Sequence, residues 1–147
     1  MKARFGLFLA ALWWGSLTGL GFVVVPLLFM HLGSPAAAGA MAAKLFTAQT
    51  WLSTGCAMLL LVVFNKRDEA VLAPHVSRAM QFLVTGLLLT LLVEFGVAPR
   101  IVSARALGAD LKFWHGLGSV MYLAQWLCAS LTLWHLSAPY SSQKTAD

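Results

Sequence analysis

Charge is what this sequence has least of. Only 10% of its 147 residues are Asp, Glu, Lys or Arg, and only five are acidic. A soluble domain averages about 25% charged residues. Too few charged side chains remain to coat a surface facing water, so the expected solvent is lipid. Other absences narrow the chemistry. There is no glycine-rich phosphate loop, no nucleophile elbow and no H-E-x-x-H helix. No segment alternates as a half-buried strand does. Cys56 and Cys128 form no C-x-x-C pair and no zinc-ligand spacing. Each lies inside an apolar run, where a free thiol acts as a small apolar group. The polar connections are too short to hold an aqueous catalytic domain. The reading therefore leans away from an enzyme and assigns no catalytic residue.

What is present is hydrophobic, at 60% of the chain. The length suits one domain. The net charge of +5 does not point to nucleic acid, because the basic residues are scattered at segment ends without forming a stripe. Lys and Arg beside apolar runs anchor and orient a membrane protein.

A helix needs about 20 apolar residues to cross the hydrocarbon core. Four segments meet that requirement: 5–32, 37–64 with Lys44 its only charge, 79–99 with Glu94 its only charge, and 111–136 with Lys112 at its edge. Lys2 and Arg4 before the first run look like the start of a signal peptide. The uncharged stretch that follows is much longer than the 7–15 residues, roughly, of a signal-peptide core, and it reads as a retained membrane helix. Gly33-Ser34-Pro35, the polar break Asn65–Glu69 with Ala73-Pro74-His75, and Arg100–Asp110 make the connections. The predicted class is all-α: a single polytopic membrane domain, residues 1–147, of four transmembrane helices in an antiparallel bundle, ending in a polar tail at 137–147.

Orientation follows from Lys and Arg at the helix ends. Lys2, Arg4, Lys66, Arg67, Arg78 and Lys144 share one side; Arg100, Arg105, Lys112 and the partly embedded Lys44 share the other. That balance predicts cytoplasmic termini. An internal echo also appears. Phe22-Val23-Val24-Val25-Pro26 and Phe95-Gly96-Val97-Ala98-Pro99 end the first and third helices, and each precedes a helix with an early lysine and aromatic: Lys44-Leu45-Phe46 and Lys112-Phe113-Trp114. Two hairpins related about the membrane normal have this look, and so do chance matches among apolar runs.

Glu94 is the leading candidate for chemistry. A charge inside a span costs about 2.5–3.5 kcal/mol on insertion scales and usually faces the bundle interior. Counting 1.5 Å per residue, Glu94 is expected roughly 8 Å, and Lys44 roughly 10 Å, inside the same outer ends. They are expected to pair, with Arg100 able to snorkel to the same place. His115 opens the fourth helix nearby. The candidate intramembrane polar cluster is Lys44, Glu94, Arg100 and His115. No metal site is assigned, and no cofactor is expected. The alternative reading places haem or copper on His31 and His115, within a membrane redox protein. His75 and His135 look ordinary.

The methionines share no spacing and are expected to fill the core. Trp114 and Trp134 are expected in the two interfacial belts. Trp13, Trp14, Trp51 and Trp126 are expected between helices, their indole N–H groups on acceptors such as Gln49 or Gln125. Gly15-Ser16-Leu17-Thr18-Gly19, and Gly39 with Ala43, are expected to let helices approach closely inside the bundle, with a dimer face as the alternative. Pro26 should kink the first helix by freeing the carbonyl of Phe22.

Taken in order, Trp14-Gly15, Phe22-Val23-Val24, Pro26, Phe29, Ala38-Gly39, Leu45-Phe46, Pro99-Arg100 and His115-Gly116 resemble the transmembrane protein 205-like domain. The likeness runs from about Leu12 to Trp134. It implies four helices and a membrane location, and supplies no reaction, ligand or catalytic residue. A looser likeness to small four-helix haem and copper membrane proteins fails at helix one, where the early intramembrane histidine is missing.

The expected role is a small non-enzymatic transport, accessory or assembly subunit of the cell membrane, the inner membrane if bacterial. Its expected partners are the lipid bilayer and either a second copy or another membrane protein, with no nucleic acid.

Overall fold

The computed structural model describes residues 2–64, 74–107 and 110–138. All regular structure among them is helical. The elements are α1 (Lys2–Gly19), a π-helical turn (Leu20–Val24), α2 (Val25–His31), α3 (Pro35–Phe64), α4 (Pro74–Leu92), a second π turn (Val93–Val97), α5 (Ala98–Leu107) and α6 (Leu111–Ser137). α1 and α2 form one continuous span, as do α4 and α5. Four spans are long and apolar enough to cross a membrane: Arg4–His31, Pro35–Phe64, His75–Arg105 and Leu111–Ser137.

Local sequence sets the ends. The Ser34 hydroxyl accepts the N–H of Ala37 at 3.1 Å, and Pro35 follows at the first helical position, where its missing N–H costs nothing. Asp110 caps α6 in the same way, its Oδ1 accepting the N–H of Phe113 at 3.0 Å. The predicted third helix, ending at Pro99, is too short. The chain stays helical through Pro99 to Leu107, so most of the predicted third connection is helix.

The reason lies in the π turns. A proline ring inside an α-helix clashes with the carbonyl four residues back and donates no hydrogen bond. Before each proline the helix widens by a residue. The N–H of Val25 donates to Leu20 O, and that of Ala98 to Val93 O, each five residues back. Pro26 and Pro99 then enter the next helix at its start. The helix-one expectation of a freed carbonyl thus takes the form of a π turn. Pro99 stands in the same relation to its turn as Pro26 does to its own, so the two segments that echo in sequence share a backbone form.

The spans pack in a ring: α1 on α3 and α6, and α4 on α3 and α6. The core holds Leu9, Trp13, Leu17, Ala57, Leu60, Leu83 and Ala129. Close approach depends on glycine at Gly86. A Cβ there would stand 2.7 Å from Trp13 Cη2 and 3.2 Å from Cys128 Cβ. The outside is apolar, with Phe8, Phe22, Phe95, Val102 and Leu127 exposed. An apolar exterior around a partly polar interior is the arrangement expected of a chain in hydrocarbon.

Several expectations need correction. Trp51 is 64% exposed and faces outward instead of packing between helices. Met30, Met41 and Met58 are also exposed, because their helix positions face away from the neighbouring spans. Gly15 and Gly19 have no atom within 4 Å of where a Cβ would stand, so this small-residue face is not an internal contact. Gly39 does pack closely, but against the Arg105 side chain: Nη2 is 2.8 Å from an ideal Cβ. Among the tryptophans that pack inside, only Trp126 finds an acceptor, and it is Thr18 Oγ1 at 2.9 Å. Trp13 Nε1 and Trp14 Nε1 are buried without a partner among the described residues.

Candidate functional site

The middle of the bundle carries a layer of polar side chains. Thr90 is the central residue of its span, and Glu94 lies four residues beyond it. Ser16 and Thr18, Gln49, Thr50 and Ser53, and Tyr122 and Gln125 lie equally near the midpoints of the other three spans. At 1.5 Å per residue all are within about 6 Å of those midpoints. Burial is nearly complete at Gln49, Ser53, Thr90 and Gln125.

Hydrogen bonds join this layer across the helices. Gln49 Nε2 donates to Ser16 Oγ at 2.9 Å and to Ser53 Oγ at 3.1 Å. Gln125 Nε2 donates to the same Ser53 Oγ at 3.4 Å. One serine thus links α3 and α6, and Gln49 links α3 to α1. The acceptors expected for indole groups are instead partners for hydroxyls. An amide has two donors and an acceptor to satisfy, and serines on facing helices serve it in hydrocarbon. Tyr122 adds a further tie. Its hydroxyl donates to Leu17 O at 2.8 Å, and its ring fills the space over Gly21, inside the first π turn.

Glu94 sits in the second π turn. Thr47 Oγ1 donates to its Oε1 at 3.0 Å, and Thr50 Oγ1 to its Oε2 at 3.2 Å. Both threonines lie on α3, three residues apart, so they face the same direction. Lys44 is three residues earlier on that stripe. It is exposed, and the carboxylate's hydrogen-bond partners are the two hydroxyls and not the ammonium. Thr54 continues the stripe on the other side. Its Oγ1 is buried and has no partner among the described residues. Glu94 itself is half-buried and Thr47 exposed, so the carboxylate occupies the seam between α3 and the third span and borders the outside of the bundle.

The other predicted cluster members go elsewhere. The Arg100 guanidinium lies over the Trp114 ring, 4.9 Å from its centroid, a cation–π contact at the end of the span. His115 is exposed and its carbonyl accepts the Ser119 hydroxyl at 2.9 Å. His31 is exposed at the end of α2. Among the described residues no three or more His, Cys, Asp or Glu side chains gather as metal ligands would. Glu94 is also deeper than its expected depth of roughly 8 Å. Eleven residues separate it from Arg105, the end of its span, which is about 16 Å. The discrepancy arises wholly from the helix continuing past Pro99.

Sequence reasoning found Glu94 and missed its partners. The signal was there in Lys44, Thr47, Thr50 and Thr54, one polar stripe at helical spacing. An open groove of about 480 Å³ on α4, lined by Ser77, Met80, Gln81, Val84 and Thr85, lies in the half of its span nearer His75 and does not include the carboxylate.

These features define a four-span membrane protein with a hydrogen-bonded polar layer halfway along its helices. The chain belongs to the family described as "Domain of unknown function (DUF4149)", whose model matches residues 8–110. That match takes in most of the first span, the whole of the second and third, and both π turns. No curated protein and no solved structure matches the chain.

Proposed function

We propose that the protein is a small non-enzymatic transport subunit of the cell membrane, with cytoplasmic termini, that passes a small polar species across the bilayer through its mid-span polar layer. The observation that carries this reading is the Glu94 carboxylate held by Thr47 and Thr50 in a π turn. An acidic side chain near the centre of a bilayer is expensive to keep, and where present it usually marks an ion or proton pathway. Interrupted helices with polar groups at mid-membrane are a recurrent way to build a transport site. The resemblance to the transmembrane protein 205-like domain, carried by Ala38-Gly39, Pro99-Arg100 and His115-Gly116 among others, fits a membrane protein without covalent chemistry of its own.

Purified protein in liposomes tests this with defined probes. One assay follows an internal pH dye after an acid pulse. The others follow swelling in sodium chloride, potassium chloride and glycerol. At least one rate should exceed that of empty vesicles and fall to the empty level with Glu94→Gln. Rates equal to those of empty vesicles for every probe would refute the transport reading.

A further inference from the structure

We propose that Glu94 is a reversible protonation site, switching between carboxylate and carboxyl within the membrane while Thr47 and Thr50 serve both forms. This deepens the reading of the polar layer as the working part of the protein and rests on it.

The geometry suits a proton. In the form seen here, each threonine hydroxyl donates to one carboxylate oxygen, at 3.0 and 3.2 Å. A hydroxyl also has lone pairs and rotates freely about its C–O bond. When Glu94 takes a proton, its new O–H donates to one threonine Oγ, and that hydroxyl turns its own hydrogen toward a backbone carbonyl one turn back. Many threonines in this bundle already bond backbone in that manner: Thr18 to Trp14 O, Thr85 to Gln81 O, Thr90 to Gly86 O and Thr132 to Cys128 O. Thr47 and Thr50 donate to the carboxylate instead. Both charge states are therefore satisfied by rotating one hydroxyl, with no backbone movement.

A metal cation is served less well. The site supplies one carboxylate and two hydroxyls, and both hydroxyl hydrogens point at the carboxylate. The hard cations that favour oxygen take about six ligands or more. A proton needs only one new bond.

Access follows the stripe. Lys44 stands exposed one turn outward of Thr47, and Thr54 leaves a buried, unpartnered hydroxyl one turn inward of Thr50. Polar groups thus continue on both sides of the carboxylate along one face of α3, an ammonium outward and a hydroxyl inward. The charged and titratable groups on the surrounding elements are few. α3 brings Lys44. The third span brings Arg100, held on Trp114, and Arg105, packed against Gly39 of α3, with His75 and Arg78 toward its other end, and α3 also carries the buried thiol of Cys56. α6 brings Tyr122, whose hydroxyl is engaged on Leu17 O, with Lys112 and His115 at its start. None is bonded to the carboxylate.

A lipid-soluble carbodiimide reads the protonation state directly. The carboxyl proton moves to a carbodiimide nitrogen while a carboxylate oxygen bonds the central carbon. The resulting O-acylisourea rearranges to a stable N-acylurea. No other reactant is consumed, and the protein gains the whole mass of the reagent. The other four acids, Asp68, Glu69, Asp110 and Asp147, lie outside the spans and see little of a reagent dissolved in lipid.

The full chain in liposomes is labelled across a series of buffers and digested for mass spectrometry. The expected result is one adduct, on Glu94. Its rate should fall about tenfold per pH unit once the carboxylate predominates, and excess sodium or potassium chloride should leave it unchanged. Thr47→Val and Thr50→Val together should move that profile. An unlabelled Glu94 at every pH, or a rate that ignores pH, would overturn the proposal. Protection by sodium or potassium would also overturn it, in favour of a cation site. Each overturning outcome is read on the wild-type chain, so the folding of a variant does not decide it. Because no flux is measured, a protonation site without transport would leave this inference standing and remove only the transport reading.

Discussion

Replacing Gly86 with leucine should destabilise the bundle strongly. A first side-chain carbon at this position already meets Trp13 at 2.7 and 3.0 Å and Cys128 at 3.2 Å. Trp13 is completely buried and Cys128 is 9% exposed, so neither can swing aside into open space. The backbone of α4 must move away from both α1 and α6. Overpacking of this kind costs about 1–3 kcal/mol for added methylenes, and a whole isobutyl group against a rigid indole belongs at or above the upper end. Unfolding of the purified protein by heat or by sodium dodecyl sulfate, followed by circular dichroism, measures it. Gly15→Leu is the matched control, since no atom lies within 4 Å of its Cβ position. It should unfold close to the wild type. Equal losses from the two substitutions would contradict the packing described for α4.

The second large effect is expected at Ser53. Its hydroxyl receives both Gln49 and Gln125, from its own helix and from α6, and the residue is 1% exposed. Ser53→Leu inserts bulk where there is no room and removes an acceptor shared by two buried amides. Leaving a buried donor unsatisfied costs about 1–3 kcal/mol, although interhelical hydrogen bonds in membranes average nearer 0.6 kcal/mol. Ser53→Ala separates the two effects. It should cost about 1 kcal/mol by the hydrogen-bond loss alone, and Ser53→Leu several times that by the same unfolding measurement. An alanine variant as unstable as the leucine variant would mean that the hydrogen bonds, and not the space, decide this position.

Much of the fold was legible because hydrocarbon leaves a chain few options. Uncharged runs of sufficient length mark the spans, and three of the four helices end within a few residues of where the runs do. The third did not, for a definite reason. The apolar run stops at Pro99, where Arg100 follows, whereas the helix passes Pro99 after a π turn and carries Glu94 deeper by nearly two turns. Nothing in the local composition distinguishes a helix that stops at proline from one that widens before it. The repetition of the same pattern before Pro26 and Pro99 was the available hint.

The candidate site was half legible. A lone acid in an apolar run stands out, so Glu94 was found. Its partner was sought among charges, and the nearest in depth was Lys44. Coulomb attraction points to Lys44, whereas helical spacing points to the threonines. Thr47 and Thr50 lie directly along the stripe that Lys44 begins, and a hydroxyl on a short stem meets a neighbouring helix where a long ammonium reaches past it to the exterior. The outward facing of Trp51 and of Met30, Met41 and Met58 has a similar origin. In lipid, large apolar side chains gain little by turning inward, and hydrophobicity does not report which face packs. Polarity marks part of the interior: Gln49, Ser53, Thr90, Gln125 and Thr132 are all buried.

Alkaline carbonate extraction of membranes from expressing cells tests most directly that these helices lie in lipid. The chain should stay with the membrane pellet through the wash and enter solution only when detergent is added. Release into the carbonate supernatant without detergent would contradict it.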